Sequence, residues 1–242
     1  NQVDNYSGTS AYQRTISYIL DSRYQNNPDY FGLVWSVKHP DGSQDSYAHY
    51  QGSFDNSTKV FTFGGGNGYT YWFRSIVWHG TTNSSGGTVI NSYDGLPFAS
   101  LYLVPYKSTM DVTIRNLSGL IVRTETHVFT GGSSFSLMTA TDFTYDVAGR
   151  LLSTTRDNNT LSTNTYTNGR LTSTVDASGV ETQCTYDALG RVATTVKKGV
   201  AASGSYAAQG DITTSFTYDG ANRVTQTVVS GGSLSQTSSS TY

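Results

Sequence analysis

The feature that most restricts this 242-residue chain is an internal repeat. Tyr145-Asp146-Val147-Ala148-Gly149-Arg150-Leu151 is followed by Tyr166-Thr167-Asn168-Gly169-Arg170-Leu171. Then come Tyr186-Asp187-Ala188-Leu189-Gly190-Arg191-Val192 and Tyr218-Asp219-Gly220-Ala221-Asn222-Arg223-Val224. The Tyr-to-Tyr steps are 21, 20 and 32 residues, and the long step carries an Ala, Gly and Ser-rich insertion over 198–211. A further 24 residues reach Tyr242, the first letter of another copy. Units this short cannot bury a core alone, so each must lean on its neighbours.

The local chemistry of one copy specifies a β-hairpin. Asp at the first position of a four-residue turn can accept a backbone N–H, and Gly closes the turn in the left-handed conformation with a bulge. Asn222, which stands where the other copies have Gly, is the next best residue at positive φ. The turns are placed near 146–149, 167–169, 187–190 and 219–222, and Asp176-Ala177-Ser178-Gly179 repeats the same chemistry between copies. Val180, Thr182, Cys184 and Tyr186 alternate along one strand, where Cys184 reads as a small buried hydrophobe. An isolated hairpin is marginal in water. The reading is therefore all-β, with antiparallel hairpin repeats forming one continuous curved sheet. Tyr and the Leu or Val after Arg would stack in ladders across copies, and Arg and Asp would pair in the same way.

The Tyr-Asp-x-x-Gly-Arg-Leu pattern resembles the YD-repeat, or Rhs (rearrangement hotspot), family. The residues that carry it are Tyr145, Asp146, Gly149 and Arg150; Tyr166, Gly169 and Arg170; Tyr186, Asp187, Gly190 and Arg191; and Tyr218, Asp219, Asn222 and Arg223. Upstream, Asn116-Leu117-Ser118-Gly119 reads as a divergent turn, and Tyr93-Asp94 is followed by Pro97, which would interrupt a central strand. The resemblance implies a hollow β-spiral shell, which encloses a toxic domain in bacterial toxins and belongs to an adhesion receptor in teneurins.

Composition divides the chain into an aromatic-rich β region with divergent hairpins at 1–110 and a repeat region at 111–242. Trp35, Trp72 and Trp78 all fall in the first. There, strands are expected to flank Asp41-Gly42 as one hairpin, and Lys59–Phe63 and Tyr69–Trp78 to flank Gly64–Gly68 as another. The second of these looks apolar on both faces, Trp72, Arg74, Ile76 and Trp78 against Phe73 and Val77, which predicts cover on both sides. Ala11–Leu20 is read as a strand.

Several classes of chemistry lack support. Fifteen Lys and Arg against 17 Asp and Glu give a net charge of −2, so no basic excess exists to neutralise nucleic acid. No apolar run reaches the ~18 residues of a membrane span. His39, His49, His79 and His127 show no short ligand spacing, although hairpin pairing would bring His39 near Asp45. No nucleophile elbow or phosphate loop appears. The expectation is no catalytic residue, no metal and no cofactor, hence not an enzyme.

The function read from the sequence is a structural wall segment of a secreted or surface protein, encapsulating or displaying another domain. Its partners would be the remainder of a longer chain, and an enclosed toxin domain or surface glycans. One alternative is a carbohydrate-binding or adhesion module that stacks sugars on Trp35, Trp72 and Trp78. Another is an extracellular filament that self-assembles through open sheet edges.

Overall fold

The computed structural model describes residues 2–4, 14–18, 34–63, 72–82, 86–93, 96–203, 207–232 and 234–242. Among them are nineteen strands and no helix, and the ladders between them are antiparallel. The all-β expectation holds. The chain divides into two compact units, Asn1–Asp142 and Phe143–Tyr242.

In the first unit, β1 (Gln2–Asp4) pairs with β2 (Arg14–Tyr18), and β2 pairs with β3 (Val34–Lys38). The segment 11–20 thus contains a strand, as read. β3 turns through His39–Gly42 into β4 (Ser43–Asp55), where Gly42 sits at φ 84°. β4 is thirteen residues long and alternates strictly along its first half, burying Gln44, Ser46, Ala48 and Tyr50. Its length lets it serve three neighbours. β3 takes the start of one edge and β5 (Val60–Phe63) takes the end of that edge. β6 (Trp72–Thr81) runs along the whole opposite edge, from Ser43↔Thr81 to Gly52↔Trp72.

This arrangement corrects one expectation. β5 forms its hairpin with β4, not with β6, because Asp55 organises a turn of its own: its Oδ1 accepts from Ser57 N at 2.7 Å and Thr58 N at 3.3 Å. Gly64–Gly68 lies outside the described residues.

β7 (Thr88–Tyr93) and β8 (Leu96–Leu103) form a hairpin whose described ladder to β6 is the pair Thr81↔Tyr102. β8 is therefore not a central strand, and Pro97 is accommodated opposite Ser92. The close crossing requires Gly80, where a Cβ would lie 2.5 Å from Tyr102 O. β9 (Thr109–Arg115) pairs with β6, β10 (Ile121–Gly131) with β9, and β11 (Ser134–Tyr145) with β10. The core holds Ile76, Trp78, Leu101, Leu103, Met110, Val112 and Phe129, all nearly inaccessible. The other face of β6 is not covered as expected, since Phe73 is 38% exposed. Of its outward residues, Phe73 and Val77 are apolar without being core, and Ser75 and His79 are polar.

The second unit is a plain meander. β12 (Leu151–Arg156), β13 (Asn159–Thr167), β14 (Arg170–Asp176), β15 (Glu181–Tyr186), β16 (Val192–Lys197), β17 (Ile212–Tyr218), β18 (Val224–Gly231) and β19 (Leu234–Ser239) pair each with the next. No described residue of this unit is buried. Cys184 is accordingly half-buried and free, not the core residue its strand position suggested. A one-layer sheet has no interior to offer it.

Candidate functional site

The repeated residues converge on one rim of the second unit, where every other connection of the meander falls. In the first copy Asp146 N donates to Arg150 O and Gly149 N donates to Asp146 O, both at 3.0 Å. The Asp146 carboxylate fills the turn from within. Oδ1 accepts from Ala148 N at 2.9 Å and Arg150 N at 3.0 Å, while Oδ2 accepts from Arg150 Nε at 2.6 Å. Asp187 and Asp219 reproduce this set with Leu189 and Arg191, and with Ala221 and Arg223. A carboxylate that accepts several hydrogen bonds is favoured in its charged form. The Arg150 guanidinium leads in holding Asp146 below the usual carboxylate range, and the Arg223 amide leads at Asp219. At Asp187 desolvation pulls upward and is outweighed by the Arg191 amide and guanidinium.

Gly149 and Gly190 stand at φ 78° and 86°, and Asn222 at 64°. The strands register a bulge at Thr185/Tyr186 and again at Thr217/Tyr218. The second copy differs: it lacks the Asp, and Asn168-Gly169 at φ 50° and 81° make a two-residue turn between Thr167 and Arg170. Positive φ at both central residues is the hairpin turn whose twist matches its strands. The Asp-type turn is also built at Asp176, and at Asn116 in the first unit, where the amide oxygen accepts from Ser118 N and Leu120 N.

Asp and Arg pair inside one turn, not across copies as expected. What crosses from copy to copy is the Arg–Tyr contact. The guanidinium of Arg150 lies 4.8 Å from the Tyr166 ring centroid, Arg170 5.4 Å from Tyr186, Arg191 4.4 Å from Tyr218, and Arg223 4.6 Å from Tyr242. Each of these tyrosines also donates its hydroxyl to the carbonyl just after that arginine: Tyr166 to Leu151, Tyr186 to Leu171, Tyr218 to Val192 and Tyr242 to Val224, at 3.1, 2.7, 2.8 and 3.2 Å. Side-chain ladders were legible in the repeat. The carbonyl acceptors were not, since any residue carries one.

The fourth position of the turn is read by the arginine of the copy before. A Cβ on Gly190 would meet Cζ of Arg170 at 2.9 Å. Where the chain has Asn222 instead, Arg191 Nη1 donates to Asn222 Oδ1 at 2.9 Å. Asn222 thus tolerates the backbone angle and also binds its neighbour.

Of the candidate sugar-stacking residues, Trp78 is fully buried and belongs to the core, so no ligand ring reaches it. Trp72 is half-buried and stacks on Phe54 at 5.5 Å. The side chain of Trp35 lies outside the described residues.

Three of the four histidines, His39, His79 and His127, lie beside carboxylates. His39 does lie beside Asp45, at 3.1 Å. On β10, Arg123 bonds Glu125 and Asp142, and His127 Nε2 lies 2.9 Å from Glu125 Oε2. Burial pushes Glu125 upward, yet His127 and Arg123 more than offset it and lower its pKa to about 2. Among the described residues no three His, Cys, Asp or Glu are placed to hold a metal ion.

Fold and rim together define a β-hairpin repeat wall. Residues 166–201 match the RHS Repeat family model. Among solved structures, TcdB2-TccC3-Cdc42 aligns at 9% identity and a TM-score of 0.36, over 94% of this chain and 18% of that one. TcdB2-TccC3-TEV aligns at 11% and 0.33, over 93% and 13%. The chain thus spans less than a fifth of either. No curated protein sequence matches it.

Proposed function

We propose that this chain is a structural wall segment of a longer secreted or surface protein, and that the wall encloses or displays another domain. The observation that carries the reading is the clasp between consecutive copies: four tyrosines, each held by the arginine and the carbonyl of the copy before. A sheet with no buried residue gains its order from these seams and not from a core. The repeated residues act as fasteners of the wall and not as a chemical site. The RHS Repeat match supports a shell-like role. The burial of Trp78 gives no support to sugar stacking.

The test is protease protection of the longer protein that contains these residues. In the intact protein a domain outside the wall segment should resist digestion. Replacing Tyr186 and Tyr218 by Ala should shorten its lifetime under protease before the isolated domain's own stability changes. Equal digestion rates with and without the clasp tyrosines would overturn the reading.

A further inference from the structure

Arg150, Arg170, Arg191 and Arg223 lie along the repeat rim, and three of them have a carboxylate from their own turn. Asp146 Oδ2 accepts from Nε of Arg150 at 2.6 Å and lies 2.5 Å from its Nη2. Asp187 Oδ2 meets Nε and Nη2 of Arg191 at 2.7 and 2.6 Å, and Asp219 Oδ2 accepts from Nε of Arg223 at 2.7 Å. Each carboxylate thus fills the same edge of its guanidinium, the one that carries Nε.

Arg170 is the exception. Its turn is the two-residue Asn168-Gly169 reversal, and Thr167 follows the tyrosine where the other copies have Asp. Among the described residues no carboxylate pairs with Arg170, and none accepts a hydrogen bond from its guanidinium. The rest of the group is engaged. One face lies 5.4 Å from the Tyr186 ring centroid, the longest of the four Arg–Tyr separations, and its tip packs beside the backbone of Gly190. Arg170 is exposed, so its Nε edge is open to solvent in the middle of the rim.

We propose that Arg170 is a seat for a carboxylate that the second copy does not supply: an Asp or Glu side chain of a polypeptide segment lying along this rim. The sister copies show the fit, since there the same edge of the same residue type already binds a carboxylate. The planar fork of a guanidinium offers a carboxylate two N–H donors at once. Local charge points the same way. Asp146 and Asp187 neutralise Arg150 and Arg191, so Arg170 leaves this copy with one positive charge in excess. A single carboxylate balances it, whereas a doubly charged phosphate would overshoot between Asp146 and Asp187. An exposed pair of this kind is weak. The seat therefore fixes where a segment lies on the rim, not how tightly the rim holds it.

The test uses the full chain and the proton–nitrogen signals of the arginine Nε–H groups. A capped Gly-Ser-Glu-Ser-Gly peptide should move the Arg170 signal about three times as far as that of Arg191, whose edge Asp187 already fills. The same peptide with Gln in place of Glu should move neither. Thr167→Asp puts a carboxylate directly opposite Arg170 across the hairpin, and the response to the Glu peptide should then be lost. Equal movement at Arg170 and Arg191, an equal response to the Gln peptide, or a response that survives Thr167→Asp would overturn the proposal. So would a larger response to inorganic phosphate than to the Glu peptide at equal concentration. If Thr167→Asp does not fold, the comparison of the two arginines in the unaltered chain decides alone.

Discussion

Gly190 and Gly179 close two turns of the same Asp-x-x-Gly chemistry at nearly the same angle, φ 86° and 78°. Alanine at either must adopt the left-handed region, which costs about 1–2 kcal/mol. Their surroundings differ. Nothing lies within 4 Å of a Cβ on Gly179, whereas one on Gly190 displaces the Arg170 guanidinium. Arg170 would then leave the Tyr186 ring, forfeiting about 0.5–1 kcal/mol for an exposed cation–π contact. Gly190→Ala should therefore cost more than Gly179→Ala by that increment, two- to fivefold in local opening. Native-state hydrogen exchange read by mass spectrometry on β15 and β16 measures it in the full chain. In an Arg170→Ala background the difference between the two glycines should vanish. Equal costs with Arg170 present, or a difference that survives its removal, would refute the idea that each arginine reads the next turn.

Tyr186→Phe should loosen the β14–β15–β16 seam by about 0.5–1.5 kcal/mol in the same exchange measurement, through loss of one hydrogen bond to Leu171. Glu125→Ala should destabilise the first unit by about 3 kcal/mol in urea, because Arg123 is left buried with one carboxylate fewer. Trp78→Ala should cost that unit about 3–5 kcal/mol, since the indole is wholly enclosed. Acid should loosen the repeat turns. The Asp146, Asp187 and Asp219 carboxyls are held low in the folded chain, so their contribution is present above the ordinary carboxylate range and is lost as pH falls through the folded values. Faster exchange at Leu189 and Arg191 as pH drops below about 4, absent in Asp187→Asn, would be the signature.

The second unit was legible because its rules are local. Turn residues name their own φ, and Asp, Gly and Asn at fixed offsets mark where the chain reverses. The Asn116 and Asp176 turns follow for the same reason. What failed was pairing at a distance. The partner of β5 was misassigned because the Asp55 turn sits in a polar run, Asn56-Ser57-Thr58, that resembles any loop. The length of β4, which lets one strand take partners on both edges, has no local marker in the sequence. The Trp residues are ambiguous because strand periodicity says which residues share a face and not what lies over it; Trp72 and Trp78 share a face, yet one is half-buried and the other wholly enclosed. The placing of His79 between Asp45 and Asp111 arises from registers of β4, β6 and β9, none of which a short motif can encode.

The two rims of the second unit are not equivalent. Every Tyr-Asp turn and every Arg–Tyr contact belongs to one rim, while the connection between Lys197 and Ile212 departs from the other, held where it leaves by Lys198 and Gly199 on Asp211 and by Gln209 N on Val200 O. The phase of the array is consequently set along a single margin, like the bound spine of a book. Length can be added or trimmed at the free margin without disturbing the alignment of pages, which is how copies 20 and 32 residues apart keep the same stitch.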